Sequence, residues 1–398
     1  MDSAKNAFAG QRVSATKGGH GADAETGTAH GGKRIITVAG DIKPEELGFC
    51  QPHEHLYIEG GPASEIFPQL CIDDLYRTVL DLRAYKKAGG SAIADAQPTF
   101  TGRNAESLYK LSKECGVHVI AATGFHKLFY YGEGGAGNPF LELGEMELAK
   151  IFADEIRVGM YASPFYEDSR ADGGDRSCDS GCIERCGGSG GSSGGERYGD
   201  SSGSGGSGGG ERYDDSGGID RTAYRAGFIK TALEPVFTEL HAKLFSAAAR
   251  ASADTGVAIM IHVDKGADPL RIAGFLAERG VKPERTIFCH LDRAVPDAGL
   301  HRELAEWGAY IEYDTITRDG YHSDAEEARL IRGMISCGHA DRLMLSLDVT
   351  RKRLRGYGGQ IGLDHMIKNF IPYLGTDWMC AEITQKLFTK NPAKAFAI

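Results

Sequence analysis

The chain has 398 residues, 41% hydrophobic and 25% charged, with a formal net charge of -10, a composition that suits a globular protein of one large domain or two. The acidic balance argues against a nucleic-acid partner, which needs a basic face to meet phosphates. No apolar run approaches the ~20 residues that cross a bilayer, and residues 1–33 lack the apolar core of a secretory signal, so a cytoplasmic protein with no membrane partner is expected.

Residues 1–33 read as a disordered N-terminal tail. From Arg34 to Leu47 two short strands around a Gly-Asp turn predict a hairpin that covers one end of the fold. Eight runs of small and β-branched residues then alternate with loops and amphipathic stretches. The runs are Gly48–His53, Ser91–Ala96, Val117–Thr123, Gly227–Leu233, Val257–His262, Thr286–His290, Ala309–Asp314 and Arg342–Asp348. Helical periodicity marks Ile72–Lys87, Ala105–Cys115, Glu142–Gly159, Phe237–Thr255 and Pro269–Arg279. This alternation implies parallel pairing and predicts an α/β fold, a (β/α)8 TIM-type barrel over residues 34–398. A doubly wound open sheet is the alternative, but no Gly-x-Gly-x-x-Gly turn follows the first strand.

The rhythm breaks once. Residues 161–218 are rich in Gly, Ser, Asp and Arg and carry a near-repeat around Glu196-Arg197-Tyr198 and Glu211-Arg212-Tyr213. So little apolar surface predicts a flexible, low-complexity insertion before strand 4, remote from the chemistry. It contains Cys178, Cys182 and Cys186, which read as exposed thiols, with a zinc or iron–sulfur site as the alternative. The remaining six of the nine cysteines are expected to be reduced.

A barrel gathers its strand C-termini around one mouth. His53 and His55, two residues apart on an extended segment, can aim both imidazoles at one metal, while Glu54 must point the other way. Lys230, His262, His290 and Asp348 end later strands. A lysine beside a cation is anomalous unless burial makes the amine neutral, when it can add carbon dioxide and become an anionic carbamate.

Together Pro-His53-Glu-His55-Leu, Ala-Ala-Thr-Gly124-Phe-His126, Ala-Gly-Phe-Ile-Lys230, His262, His290 and Asp348 resemble the phosphotriesterase-like (lactonase) branch of the amidohydrolase superfamily. The resemblance implies a distorted barrel with two divalent metals, usually Zn2+, with Mn2+ or Co2+ as alternatives. It places one metal on His53, His55 and Asp348 and the other on His262 and His290, bridged by carboxylated Lys230 and a hydroxide. It also implies Asp348 as the catalytic proton acceptor, a small-molecule substrate and a possible homodimer. Loss of activity at acidic pH follows from a carboxylate in that role.

The loops choose the substrate. Arg351, Lys352, Arg353 and Arg355 crowd the loop after strand 8 and suit an anionic substrate. Gly-Phe-His126-Lys127 and Asp348-x-x-Arg351 resemble a subgroup that opens phosphorylated sugar lactones. Arg351 matches its phosphate-gripping arginine, whereas Leu354 departs from its aromatic pattern. His126, Lys127, Tyr130, Arg318 and Arg351 are therefore the expected substrate contacts, with Tyr131, Tyr321, His322, Asp95, Gln97 and Arg103 as further candidates. The expected activity is hydrolysis of an anionic sugar or phosphosugar lactone. The alternatives are organophosphate triester hydrolysis, amide hydrolysis of the deaminase or dihydroorotase kind, and a metal-binding barrel without turnover.

Overall fold

The computed structural model describes residues 32–132, 135, 137–162 and 221–398. The expected tail up to residue 31, the insertion over 163–220 and its three cysteines lie outside the described residues. Two antiparallel strands, β1 (Ile35–Thr37) and β2 (Gly40–Ile42), come first. Eight parallel strands follow: β3 (Cys50–Glu54), β4 (Ala92–Asp95), β5 (His118–Gly124), β6 (Ala226–Leu233), β7 (Ile259–Val263), β8 (Thr286–Cys289), β9 (Tyr310–Tyr313) and β10 (Leu343–Leu345). Each pairs with its neighbour in sequence, from β3 through to β10. Because the order never reverses, the doubly wound alternative falls and the (β/α)8 barrel stands.

Helices occupy the expected stretches, and their starts follow from capping chemistry. Asp74, Asn104, Thr238 and Asp268 accept hydrogen bonds from backbone N–H groups in the first turns of Leu75–Ala88, Ala105–Cys115, Glu239–Thr255 and Pro269–Ala277.

Strand alternation sorts the interior by height. Near the strand starts Phe228, Met260, Ile287, Tyr310 and Met344 form an apolar plug with Ile35, Leu47 and Phe396. Two residues further along, with the same parity, come Lys230, His262, Cys289, Glu312 and Ser346. The β1–β2 hairpin covers the apolar end, where Val38 N donates to Val119 O at 2.9 Å. The C-terminus joins it through Arg34 and Ile398, which exchange backbone hydrogen bonds of 2.9 and 3.0 Å.

The sheet order runs from β3 to β10 without a ladder joining those two strands. Side chains and one backbone hydrogen bond close the seam instead. Glu54, pointing away from the mouth as expected, accepts from Leu347 N and Val349 N at 2.8 and 2.9 Å, and its Oε1 lies 2.8 Å from Ser346 Oγ. Ser346 Oγ also accepts from His53 N at 3.0 Å, and Asp348 N donates to His53 O at 3.2 Å. Burial pushes the Glu54 carboxyl up to about 7 against the pull of these donors. The seam therefore ties the first-strand histidines directly to the loop that carries Asp348.

Candidate metal centre

The six side chains expected at the mouth meet there. His55 Nε2 lies 3.3 Å and His53 Nε2 3.8 Å from Asp348 Oδ1. The His262 and His290 rings are 4.4 Å apart, and His290 lies 4.7 Å from His53. Lys230, fully buried on β6, places Nζ 3.1 Å from His53 Nε2. Burial, reinforced by nearby cationic groups, holds His53, His262 and His290 well below the usual imidazole range, so each offers a lone pair. Burial likewise lowers Lys230, against the opposing effect of Cys289 and the surrounding carboxylates.

The backbone is bent to bring these groups together. His290 and Asp348 sit in the left-handed region, with φ of 65° and 47°, a conformation that costs about 1–3 kcal/mol for a residue with a Cβ. Gly124 has φ of 106°, and a Cβ there would stand 2.0 Å from Lys230 O. Only glycine lets the end of β5 approach the strand that carries the lysine.

These residues fit divalent cations. His262 Nε2 and His55 Nδ1 are buried without a hydrogen-bond partner, and the ligand atoms of His53, His55 and Asp348 lie within 4.8 Å of one another. Imidazoles, one carboxylate and a lysine depressed by burial form a donor set that suits a divalent metal ion.

Three surrounding residues went unnoticed in the sequence. Arg293 donates to Asp314 Oδ1 and Asp348 Oδ2, both at 3.0 Å. Asp314 Oδ2 lies 2.5 Å from His290 Nδ1, and Glu312 Oε2 lies 3.4 Å from His53 Nδ1. Parity could have found the two acids, since Tyr310, Glu312 and Asp314 alternate along one strand and face the barrel interior. Arg293 follows His290 in a short helix, Leu291–Ala294, and no strand pattern marks it.

The mouth partly corrects the expectations for the substrate loops. His126 stacks on Tyr130 at 4.0 Å, lies 5.3 Å from His262, and accepts at Nδ1 from Lys127 N at 2.7 Å. Lys127 Nζ reaches Asp264 at 3.2 Å. Tyr131 instead supports from behind, its hydroxyl accepting from His126 N. Arg318 is turned onto Asp348, donating to its carbonyl and lying 3.3 Å from Oδ2. The basic loop is largely consumed by the protein itself: Arg351 pairs with Asp73 and the Cys71 carbonyl, Arg353 donates to Ile316 O, and Arg355 pairs with Asp364. His322 pairs with Glu327 at 2.5 Å. Arg103 is not a substrate contact: it is buried in a two-pronged pair with Glu155. Asp95 accepts from Leu56 N and Gln97 N, and the Gln97 amide nitrogen donates to Thr101 Oγ1.

The profile of the phosphotriesterase family matches residues 33–164 and 214–396. An N-acetyltaurine hydrolase from Danio rerio is 25% identical, across 91% of this chain and 97% of its own length. A phospho-furanose lactonase from Mycoplasmopsis synoviae (strain 53) is also 25% identical, across 91% of both chains. Among solved structures, a lactonase from Listeria monocytogenes superposes with a TM-score of 0.72 at 22% identity, covering 91% of this chain and 98% of that one.

Proposed function

Because the chain belongs to the phosphotriesterase family of metal-dependent hydrolases, we propose that it opens the ester of a small anionic lactone, a sugar or phosphosugar lactone, at a two-metal centre. The observation that carries this reading is the meeting of Lys230 with four histidines and Asp348 at one end of the barrel. Two divalent cations, zinc first and manganese or cobalt otherwise, held by His53, His55 and Asp348 and by His262 and His290 with carboxylated Lys230 between, would supply a water acidic enough to ionise near neutrality and a Lewis acid for the acyl oxygen.

The remaining work falls to the side chains. Asp348 takes the proton from the attacking water and returns it to the leaving group. Burial alone would raise its carboxyl, but Arg318, the hydrogen bond from His55 and Arg293 outweigh that and hold it well below the usual carboxylate range. It is therefore ionised at neutral pH, as a base must be. His126 has its Nδ1 occupied as an acceptor, so its proton resides on Nε2, which can donate to the substrate.

An anionic substrate is supported by Lys127, whose carboxylate partner Asp264 is partly exposed. The name of the lactonase relative points the same way. A second reading, amide hydrolysis, is favoured by relatives named N-acetyltaurine hydrolase, since the same centre attacks either acyl group. Triester hydrolysis ranks behind both, because a neutral triester has no use for the Lys127 ammonium. Zinc- or manganese-loaded protein should be assayed against phosphorylated lactones, their unphosphorylated parents, N-acyl aminosulfonates and phosphotriesters. Ring opening fastest with phosphorylated lactones supports the reading. Turnover confined to amides replaces the substrate, and no turnover on any substrate leaves a metal-binding barrel.

A further inference from the structure

Beneath the expected metal ligands lies a group of polar atoms that the proposed chemistry does not use. His53 Nδ1, His290 Nδ1, both Glu312 carboxylate oxygens and Asp314 Oδ2 are shut off from solvent and lack hydrogen bonds of good geometry. Yet they face one another. One ligand-type atom from each of the four residues falls within a 4.8 Å cluster. Glu312 and Asp314, two apart at the end of β9, enter from one side. The two histidines enter from β3 and from the turn after β8.

An imidazole that binds a cation through one nitrogen must dispose of the proton on the other, and the acceptor of that proton fixes which nitrogen is the ligand. His53 Nε2 faces Lys230 and Asp348, so Nδ1 is the nitrogen left over. Asp314 is already committed, with Oδ1 on Arg293 and Oδ2 against His290 Nδ1. It lies 3.7 Å from His53 Nδ1, whereas Glu312 Oε2 lies 3.4 Å away.

We propose that Glu312 is a positioning residue for the metal centre: facing His53 Nδ1 at 3.4 Å, it accepts a hydrogen bond from the Nδ1–H when a divalent cation is bound and so fixes the tautomer that presents Nε2 to that cation. Asp314 performs the same service for His290. The proposal rests on the metal centre proposed above but not on its substrate. A buried carboxyl set against Asp314 and Cys289 contributes little to the metal-free fold. Its contribution appears when a cation polarises the ring above it.

The test uses full-length, metal-depleted protein titrated with Zn2+ against a chromophoric chelator, in wild type, Glu312→Gln and Glu312→Leu. Loss of such a partner typically weakens metal binding about 10–100-fold. Glu312→Leu is expected near the upper end, and Glu312→Gln, which keeps an acceptor oxygen, near the lower end. The metal-free Glu312→Leu protein should unfold no earlier than metal-free wild type, whereas a residue serving only the fold would lower that midpoint. The proposal is overturned if Glu312→Leu binds zinc within threefold of wild type, or if wild type binds no zinc. It is equally overturned if a third equivalent binds and disappears in Glu312→Gln, which would make these groups ligands themselves. Wild type that binds zinc but opens no lactone sinks the substrate reading and leaves this one standing.

Discussion

Replacing Arg293 with methionine keeps an unbranched stem and removes the guanidinium that joins Asp314 to Asp348. At an effective dielectric of ~20, a charge about 4 Å away is worth about 4 kcal/mol, which bounds what ionised Asp348 loses with the guanidinium. Arg318 remains 3.3 Å from the same oxygen, so Asp348 is expected to lose only part of that bound. The sign follows from the direction of the shift. Asp348 is depressed in the folded protein, so losing a cation raises it and moves the acidic limb of kcat/KM to higher pH. A depressed carboxylate contributes stability above its unfolded pKa and loses it as pH falls through the folded value. Because Asp314 also loses its partner, the variant should be less stable than wild type by about 3–5 kcal/mol at neutral pH, the usual cost of breaking a buried pair. The gap should narrow in acid. Urea unfolding at pH 7.5 and at about pH 2.5, below the ordinary carboxylate range, with a pH–rate profile on the best substrate of the panel, measures both. An acidic limb that does not move, with equal destabilisation at both pH values, would refute the role given to Arg293.

Arg103→Met should cost about 3–5 kcal/mol in unfolding free energy by stranding Glu155, while KM of the surviving folded enzyme stays unchanged. A changed KM would return Arg103 to the substrate site. Dialysis against a chelator should abolish hydrolysis and lower the thermal midpoint, and zinc should restore both. Activity that survives complete metal removal, verified by elemental analysis, would end the metal reading. Lys127→Met should raise KM about tenfold for a phosphorylated lactone, the order of one exposed charge contact, with little change for the unphosphorylated parent. An equal rise for both substrates would assign Lys127 to loop structure.

Much of the centre was legible because its information is local. His53 and His55 share a face by strand alternation, and Lys230, His262, His290 and Asp348 each lie at or near the end of an apolar run. Once the runs alternate with helices, parallel pairing brings all those ends to one rim. The glycine of Gly124-Phe-His126 was also visible, although its reason, the approach to Lys230 O, was not.

What tertiary structure alone decided was the partner of each charge. Arg351 and Arg103 look equally available in the sequence, yet one meets Asp73 at the rim and the other disappears against Glu155. Arg293, Asp314 and Glu312 acquire meaning only when the turn after β8 is set against β9 and the first strand. Periodicity states which way a side chain points. It does not state what stands opposite, because that depends on the register and tilt of strands and loops far apart in the chain, and a charge is defined energetically by its neighbours rather than by its own element.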